Sequence, residues 1–292
     1  MKGSATAHAA ITIVNALPTG VGCALGISLA VRATATLTRT GTSAAHDLDL
    51  DPASDSPLVR EAFREAVERV EPGASWHAQL AIDSEIPPAR GLKSSSAVAS
   101  AVGGAVLRAL GRDLPPLELA RLSATAARRV GLSATGAFDD ALAGLSSGFV
   151  ITDNREDQLL RSAPVDPNLD VALWVPPATH RPSPEWRLAF ERRAAESRAA
   201  LEEAANGRWA EAVERNTALV EEVMGYDYRE LRARVLEHGA MACGVSGLGP
   251  TLAALVGRDH AGAVIDAMPE ELGARLHVQV LSGPPTRVPG IP

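Results

Sequence analysis

Polar and apolar residues alternate along the first forty positions of the chain. Over 31–38, apolar side chains occupy every second position, a pattern typical of a β-strand with one buried face. Strands are therefore expected over 3–14 and 25–40, where Val, Ile, Thr and Ala are abundant. The turn-forming stretch 17–22 separates them. A strand, a glycine loop and a second strand should open the fold.

A helical period follows the two strands. A charged amphipathic helix is expected over 56–70, because Ser56 can cap its first turn and Pro57 is tolerated at its first position. The loop 84–94 contains proline and glycine and precedes a second helix, 95–110. In that helix apolar residues recur every four positions among small neighbours, which indicates a helix that is buried on most sides.

The remaining pattern mixes strands and helices. The other expected elements are a strand near 76–82, helices at 116–130 and 137–144, strands at 148–152 and 171–175, a largely helical stretch from 184 to 238, strands at 241–246, 251–256 and 276–281, and a helix near 259–268. Runs of strands and helices without regular β–α alternation favour the α+β class. We expect two lobes, residues 1–165 and 166–292.

The composition is that of an ordered globular protein. Of 292 residues, 46% are hydrophobic and 22% are charged, and no charged run is long enough to suggest a disordered tail. The formal net charge of −7 argues against a general nucleic-acid binder, which needs a basic face. Any anionic ligand must therefore be held by local features of the chain.

The N-terminus and the cysteines favour a cytoplasmic protein that does not contact a membrane. The start faintly resembles a secretory signal ending at Cys23, but Thr12, Asn15 and Pro18 interrupt its apolar stretch. No run of about 18 apolar residues occurs that could span a bilayer. Cys23 and Cys243 are too few for a disulfide framework, which indicates buried thiols in a reducing compartment.

The most informative segment lies between a strand and the buried helix. It consists of Pro87, Pro88, Ala89, Arg90, Gly91, Leu92, Lys93, Ser94, Ser95, Ser96 and Ala97. Its glycine permits a tight backbone path, the helix N-terminus presents amides to an anion, and serine hydroxyls can bind phosphate or Mg²⁺. Lys93, one of only two lysines in the chain, adds a positive charge. The alternative is a serine-capped helix after an ordinary turn. A P-loop is excluded because Leu92 precedes Lys93.

This segment resembles the phosphate loop of the GHMP superfamily of small-molecule kinases, named for galactokinase, homoserine kinase, mevalonate kinase and phosphomevalonate kinase. The superfamily pattern is Pro, three residues, then Gly-Leu-Gly-Ser-Ser-Ala; Lys93 takes the place of its second glycine. Together with the stretch 10–16, the Gly-Leu-Lys-Ser-Ser-Ser-Ala form is similar to the archaeal-type shikimate kinase branch. The resemblance implies a two-lobed α+β fold, with a ribosomal-protein-like N-terminal lobe and a ferredoxin-like C-terminal lobe, and makes 87–97 an ATP-binding segment.

A second motif, 135–141, resembles the superfamily segment Ser-Gly-x-Asp that leads into a helix. Aligned on Ala141, the resemblance makes Asp139 the catalytic residue that contacts the substrate and accepts the proton of its hydroxyl, with Lys93 as its catalytic partner. Asp140 stays an alternative, because the alignment needs one inserted residue. From chemistry alone, paired aspartates after a glycine could equally cap a helix at its positive end.

A third motif, 244–251, is similar to the C-terminal glycine-rich motif of the superfamily. The resemblance implies that Gly247 and Gly249 lie against the phosphate loop and contact ATP, and Ser246 is expected to contact the substrate. Taken alone, the motif could be only a hairpin turn. A nucleophile elbow is excluded because Leu248 occupies the position of its last glycine.

Several polar residues outside the motifs are candidates for substrate binding. Asn15, Thr19 and His8 lie near the first glycine loop, although polar loop residues often bond their own backbone. Arg90 or Arg181 could clamp a substrate carboxylate with two hydrogen bonds.

The resemblance implies ATP and Mg²⁺ as cofactors, with Ser95 as a magnesium ligand. Mevalonate kinase-like members carry a magnesium-binding glutamate upstream of the aspartate, whereas Arg128 and Arg129 stand in that neighbourhood here. The implied reaction is transfer of the γ-phosphoryl group of ATP to the 3-hydroxyl of shikimate. The alternatives are a kinase of the same fold that acts on homoserine or mevalonate, and a catalytically silent relative that binds a metabolite.

Overall fold

The computed structural model describes residues 1–43, 45–133, 135–178 and 184–283. Two mainly antiparallel sheets, of six and four strands, are each covered by helices. The α+β class and the two-lobed fold are therefore confirmed. None of the helices in these ranges is long and apolar enough to cross a bilayer.

The first sheet and its helices form the N-terminal lobe. Its strands are β1 (Lys2–Val14), β2 (Val21–Gly41), β3 (His46–Leu50), β4 (Ser75–Ser84), β5 (Phe149–Asp153) and β6 (Gln158–Ala163). Its helices are α1 (Pro57–Val70), α2 (Ser94–Ala109), α3 (Pro116–Arg129) and α4 (Phe138–Ala143). The Ser56 hydroxyl accepts a hydrogen bond from the Val59 amide, so α1 begins where its sequence cap lies.

The long strand β2 organises this sheet. β1 pairs with one edge of β2, while β5 and β4 pair with successive parts of the other edge. Between those parts, Ile27 forms an isolated bridge with Val280, and the Leu281 amide donates to Gly26 at 3.0 Å. The chain beyond the last strand therefore returns to the N-terminal sheet.

The helix α2 packs against the sheet through small residues. A methyl group on Gly104 would lie 2.9 Å from the Ala5 Cβ atom, and one on Gly103 would lie 2.8 Å from Leu122. Those distances are shorter than normal carbon contacts, so only glycine lets β1 and α3 come this near to α2. This packing holds α2, the helix that follows the loop 84–93, against β1.

The C-terminal lobe has a sheet in the order β10-β7-β9-β8. Its strands are β7 (Leu169–Val175), β8 (Ala240–Val245), β9 (Leu252–Gly257) and β10 (Ala274–Gln279), and its helices are α5 (Pro184–Glu191), α6 (Ala194–Ala205), α7 (Trp209–Met224), α8 (Arg229–Glu237) and α9 (Ala261–Asp266). The strand order is that of a ferredoxin-like β-α-β-β-α-β unit with additional helices, as the resemblance implies. The chain passes from one sheet to the other between Ala163 and Leu169, and the division at residue 165 stays a proposal.

Two strands were not expected from the sequence. The strand β3 pairs in parallel with β4, and β6 pairs with β5, so each lies at an edge of the six-stranded sheet. Edge strands are short and polar because one side of the strand faces solvent. Their sequences therefore carry a weak apolar pattern that resembles a loop.

Candidate active site

The backbone of 89–93 alternates between positive and negative φ angles. Ala89, Gly91 and Lys93 have φ angles of 55°, 81° and 64°, while Arg90 and Leu92 between them do not have positive φ. Alternation of this kind turns successive amide N–H groups toward one side and forms a concave anion-binding nest. In the superfamily pattern a glycine occupies the position of Lys93, and glycine adopts a positive φ without strain. A non-glycine residue in this left-handed region loses about 1–2 kcal/mol of conformational free energy, and Lys93 accepts this strain.

The helix α2 begins directly after this nest. Its N-cap is Lys93, and no side chain among the described residues caps its first turn. The amides of Ser94, Ser95 and Ser96 have no acceptor within the helix, and the helix dipole places partial positive charge there. Ser95 is exposed, whereas Ser96 is buried. The start of α2 thus extends the row of N–H donors that the nest begins.

The third motif closes over the phosphate loop. The Ser246 hydroxyl donates to the Gly91 carbonyl oxygen at 2.8 Å. A methyl group on Gly91 would lie 3.1 Å from the Ser246 carbonyl carbon and 3.2 Å from the Gly249 carbonyl oxygen. A methyl group on Gly247 would lie 3.3 Å from Lys93 Nζ. The glycines of the two motifs therefore allow close contact between the lobes at this point.

The predicted substrate residues Asn15 and Ser246 lie in a buried hydrogen-bond network between the lobes. The Asn15 amide group donates to the Gly247 carbonyl at 3.2 Å, and the Thr12 backbone amide donates to the Ser246 hydroxyl, also at 3.2 Å. The Asn15 backbone amide donates to Asn216 at 2.8 Å. These side chains hold β1 against the third motif, and their contact with substrate stays a prediction.

The side chain of Lys93 points to Asp140. Lys93 Nζ lies 2.9 Å from Asp140 Oδ1, and the two side chains are only 13% and 12% exposed. Burial, and then the nearby charge of Asp139, raise the pKa of Asp140 to about 7, and the ammonium group of Lys93 opposes that rise. The pair joins the phosphate loop to the start of α4 and brings the first two predicted motifs together.

Asp139 is held by a residue that the sequence analysis did not identify. Asp139 is 4% exposed, and its Oδ1 accepts a hydrogen bond of 2.7 Å from Asn154 Nδ2. Asn154 Oδ1 in turn accepts from the Asp139 backbone amide at 3.1 Å and from the Thr152 hydroxyl at 2.7 Å. A methyl group on Gly22 would lie 2.9 Å from Asp139 Cγ. Asn154 thus orients the carboxylate while Gly22 leaves room for it.

Other predicted residues are engaged differently or lie elsewhere. The Thr19 hydroxyl exchanges hydrogen bonds of 3.1 Å with the backbone of Val21. Arg90 donates to the carbonyl oxygens of Pro177 and Ala178. His8 is half-buried beside Arg32 and Glu85, and burial lowers its pKa. Arg181 lies outside the described residues.

A cavity of 320 Å³ opens beside Asn154. It is lined by Leu17, Pro18, Gly20, Arg128, Thr135, Asn154, Arg155, Arg187 and Glu191. The loop before β2, the turn after β5 and the helix α5 supply most of this wall. The polar run Asp153-Asn154-Arg155 at the end of a buried strand was the sequence signal that could have identified it.

Comparison with known families matches both lobes. Residues 57–148 match the GHMP kinases N terminal domain, and residues 197–274 match GHMP kinases C terminal. A shikimate kinase of Methanosarcina acetivorans is 36% identical over 87% of this chain and 85% of its own. A shikimate kinase of Archaeoglobus fulgidus is 32% identical over 99% of this chain and 96% of its own.

Solved structures with the same fold include other members of the superfamily. The mevalonate kinase of Methanococcus jannaschii superposes with a TM-score of 0.73 at 13% identity, covering 96% of this chain and 98% of that one. The homoserine kinase of Cytophaga hutchinsonii gives a TM-score of 0.71 at 16% identity, covering 97% and 96%. With both lobes matched and relatives above 30% identity along most of its length, this chain belongs to the GHMP kinase family.

Proposed function

We propose that this ATP-dependent kinase transfers the γ-phosphoryl group of ATP to the 3-hydroxyl of shikimate. The acceptor rests on the archaeal relatives, which carry the name shikimate kinase at 32–38% identity. The observation that carries the chemistry is the buried Asp139 carboxylate, whose neighbour Asp140 pairs with Lys93 of the phosphate loop. The Asp139 carboxylate, which could accept a proton, therefore lies next to the loop that would bind the triphosphate.

The triphosphate is assigned to the nest at 89–93 and the start of α2. Its transferred group passes through a loose transition state, with charge spread over the equatorial oxygens. Amides in the nest and at the helix N-terminus are fixed donors that oppose this charge without reorganising. Lys93 is only 3.3 Å from the position of a methyl group on Gly247, so its ammonium group lies between the two glycine motifs.

Asp139 is assigned as the general base. Its Oδ1 is engaged by Asn154, so Oδ2 would accept the proton of the acceptor hydroxyl. The hydroxyl oxygen forms a bond to the γ-phosphorus as the bond from that phosphorus to the bridging oxygen breaks, and ADP leaves. Transfer of the proton to a positioned carboxylate contributes about 10²–10⁴-fold to the rate.

Ser95 and Asp140 would hold a magnesium ion that is bound mainly through ATP. The Asp140 carboxylate is nearly buried and has Lys93 as its counter-charge, and the Ser95 hydroxyl is exposed at the start of α2. No three His, Cys, Asp or Glu residues of the described chain form a metal cluster. Mg²⁺ commonly keeps waters and binds one or two carboxylates together with substrate phosphates. When bound, the ion would neutralise charge on the phosphoryl oxygens.

An acceptor panel tests this proposal. Purified protein is assayed for ADP release with shikimate, homoserine, mevalonate and galactose in parallel, and phosphorylation at the 3-hydroxyl is checked by NMR. Shikimate should give the highest kcat/KM, and Asp139→Ala should lower kcat by at least about 10²-fold while the Kd for ATP stays within about twofold. Preference for another alcohol would reject the acceptor. ATP binding without turnover of any alcohol would favour the alternative that this protein is a catalytically silent member of the family.

A further inference from the structure

The cavity beside Asn154 has an excess of positive charge. Its lining includes three arginines and one carboxylate, Glu191. Arg128 makes a two-pronged ion pair with Asp157, with one bond of 3.0 Å, and Arg187 pairs with Glu191 at 2.9 Å. Two of the three arginine charges are therefore neutralised within the protein.

The third arginine, Arg155, has a different environment. Within the described ranges, no residue offers its guanidinium group an ion pair or a hydrogen bond. Its backbone is nevertheless fixed, since its amide donates to Asp153 Oδ1 at 2.8 Å and the Asn154 amide donates to the Gly20 carbonyl, also at 2.8 Å. Among the described residues, Arg155 is therefore the one arginine of this cavity without a counter-charge, and it stands on an anchored turn.

Arg155 and Asp139 flank one short piece of chain. Arg155 Nε lies 2.5 Å from the position of a methyl group on Gly20, and Asp139 Cγ lies 2.9 Å from the position of one on Gly22. Residues two apart in an extended chain have α-carbons at most about 7 Å apart. The cation and the carboxylate therefore contact the same short segment, 20–22, and Asn154, which lines the cavity beside Arg155, hydrogen-bonds Asp139.

We propose that Arg155 binds the carboxylate of the acceptor, so that this site selects a hydroxy acid over a neutral alcohol. A planar guanidinium group donates two parallel hydrogen bonds to a carboxylate. In shikimate, the carboxylate and the 3-hydroxyl occupy ring carbons with one carbon between them, so one small ring can contact Arg155 and Asp139 together. The inference rests on the proposed function for the identity of that acid, and Arg155 is a specificity residue, not a catalytic one.

The test compares an acid with its neutral ester. Arg155→Met, Arg155→Lys and the wild-type protein are assayed with shikimate and with methyl shikimate. Arg155→Met should raise the KM for shikimate about 10–150-fold, the equivalent of one charged hydrogen-bonded contact. Its kcat/KM for the methyl ester should stay within about threefold of wild type, and Arg155→Lys should recover part of the loss. The matched control is Arg112→Met, an exposed arginine outside the cavity, which should behave as wild type.

The outcomes separate the two proposals. If Arg155→Met lowers kcat/KM equally for the acid and the ester, the residue acts on structure and the inference is wrong. If the wild-type protein prefers a neutral alcohol such as galactose, the proposal that Arg155 binds a substrate carboxylate is also wrong. If it prefers mevalonate, shikimate is not the acceptor, but the proposal that Arg155 binds a carboxylate still stands. The Arg155 variants are then assayed with mevalonate and with its methyl ester.

Discussion

The substitution Gly22→Ala should disable catalysis while changing no catalytic residue. Gly22 lies in β2, opposite Thr152, and its φ is not positive, so its backbone accepts an alanine. The added methyl group would lie 2.9 Å from Asp139 Cγ and 2.9 Å from Ala16 Cβ. Carbon atoms in good contact are about 3.5–4.0 Å apart. Asp139 Oδ2 lies nearer still to the position of this methyl group, so the carboxylate must retreat by at least about 1 Å.

That displacement sets the expected loss of activity. A misplacement of about 1 Å in a reacting group can cost about 10²-fold in rate, so kcat for the preferred acceptor should fall by about that factor. The KM for ATP should stay within about twofold, since the nest at 89–93 is not touched. Overpacking a core position costs about 1–3 kcal/mol of unfolding free energy, which chemical denaturation would measure alongside the kinetics.

Gly41→Ala provides the matched control. Gly41 also lies in β2 without positive φ, but its added methyl group would meet nothing nearer than Ser75 Cβ at 3.9 Å. This variant should keep wild-type kcat and stability. A folded Gly22→Ala protein with near-normal kcat would refute the reasoning. So would a further large loss of kcat when Gly22→Ala is added to Asp139→Ala, because that background removes the carboxylate and leaves the methyl group only its contact with Ala16.

Three further results are expected from the residues around this carboxylate. Lys93→Met should raise the KM for ATP and lower the unfolding free energy by about 1–3 kcal/mol, because the Asp140 carboxyl loses its partner and then stays protonated. The double variant with Asp140→Leu should recover stability but not ATP affinity. Asn154→Ala should lower kcat and reduce the unfolding free energy by about 1–3 kcal/mol, because it removes the hydrogen bonds that orient Asp139. A variant that keeps the wild-type kcat would contradict this role of Asn154. Because the pKa of Asp140 is raised to about 7, its carboxyl is neutral below that pH. The kcat/KM for Mg·ATP should therefore fall about tenfold per pH unit below about pH 7. If the Asp140→Asn variant shows the same pH dependence of kcat/KM, Asp140 is not the group that titrates.

Much of the fold was predictable because local signals agreed with burial. Ser56 and Pro57 marked the start of α1, and the four-residue apolar period marked α2, the helix most enclosed by the sheet. The two missed strands, β3 and β6, lie at sheet edges where burial leaves little trace in the sequence. The edge strands β8 and β10 of the other sheet were nevertheless expected, so a position at a sheet edge weakens the sequence pattern without always removing it.

The candidate active site could be predicted only in part, for a physical reason. Residues 87–97 and Asp139 belong to short sequence motifs. The shape of the phosphate loop and the start of α4 each require particular residue types at neighbouring positions, so a sequence pattern can reveal them. Asn154 and Gly22 act on Asp139 from other strands, and only the folded sheet brings them together. The pairing of Lys93 with Asp140 joins two motifs that the sequence analysis treated separately.

The hydrogen bond from Ser246 to Gly91 spans 155 residues of chain. On a ribosome, the phosphate loop emerges long before the strand turn that supports it, and N-terminal segments begin to fold first. Contacts at such sequence separation form slowly, because the entropy of closing the loop opposes them. We therefore expect the phosphate loop to gain the support of Ser246 only after residue 246 has been synthesised and β8 has docked on the N-terminal lobe.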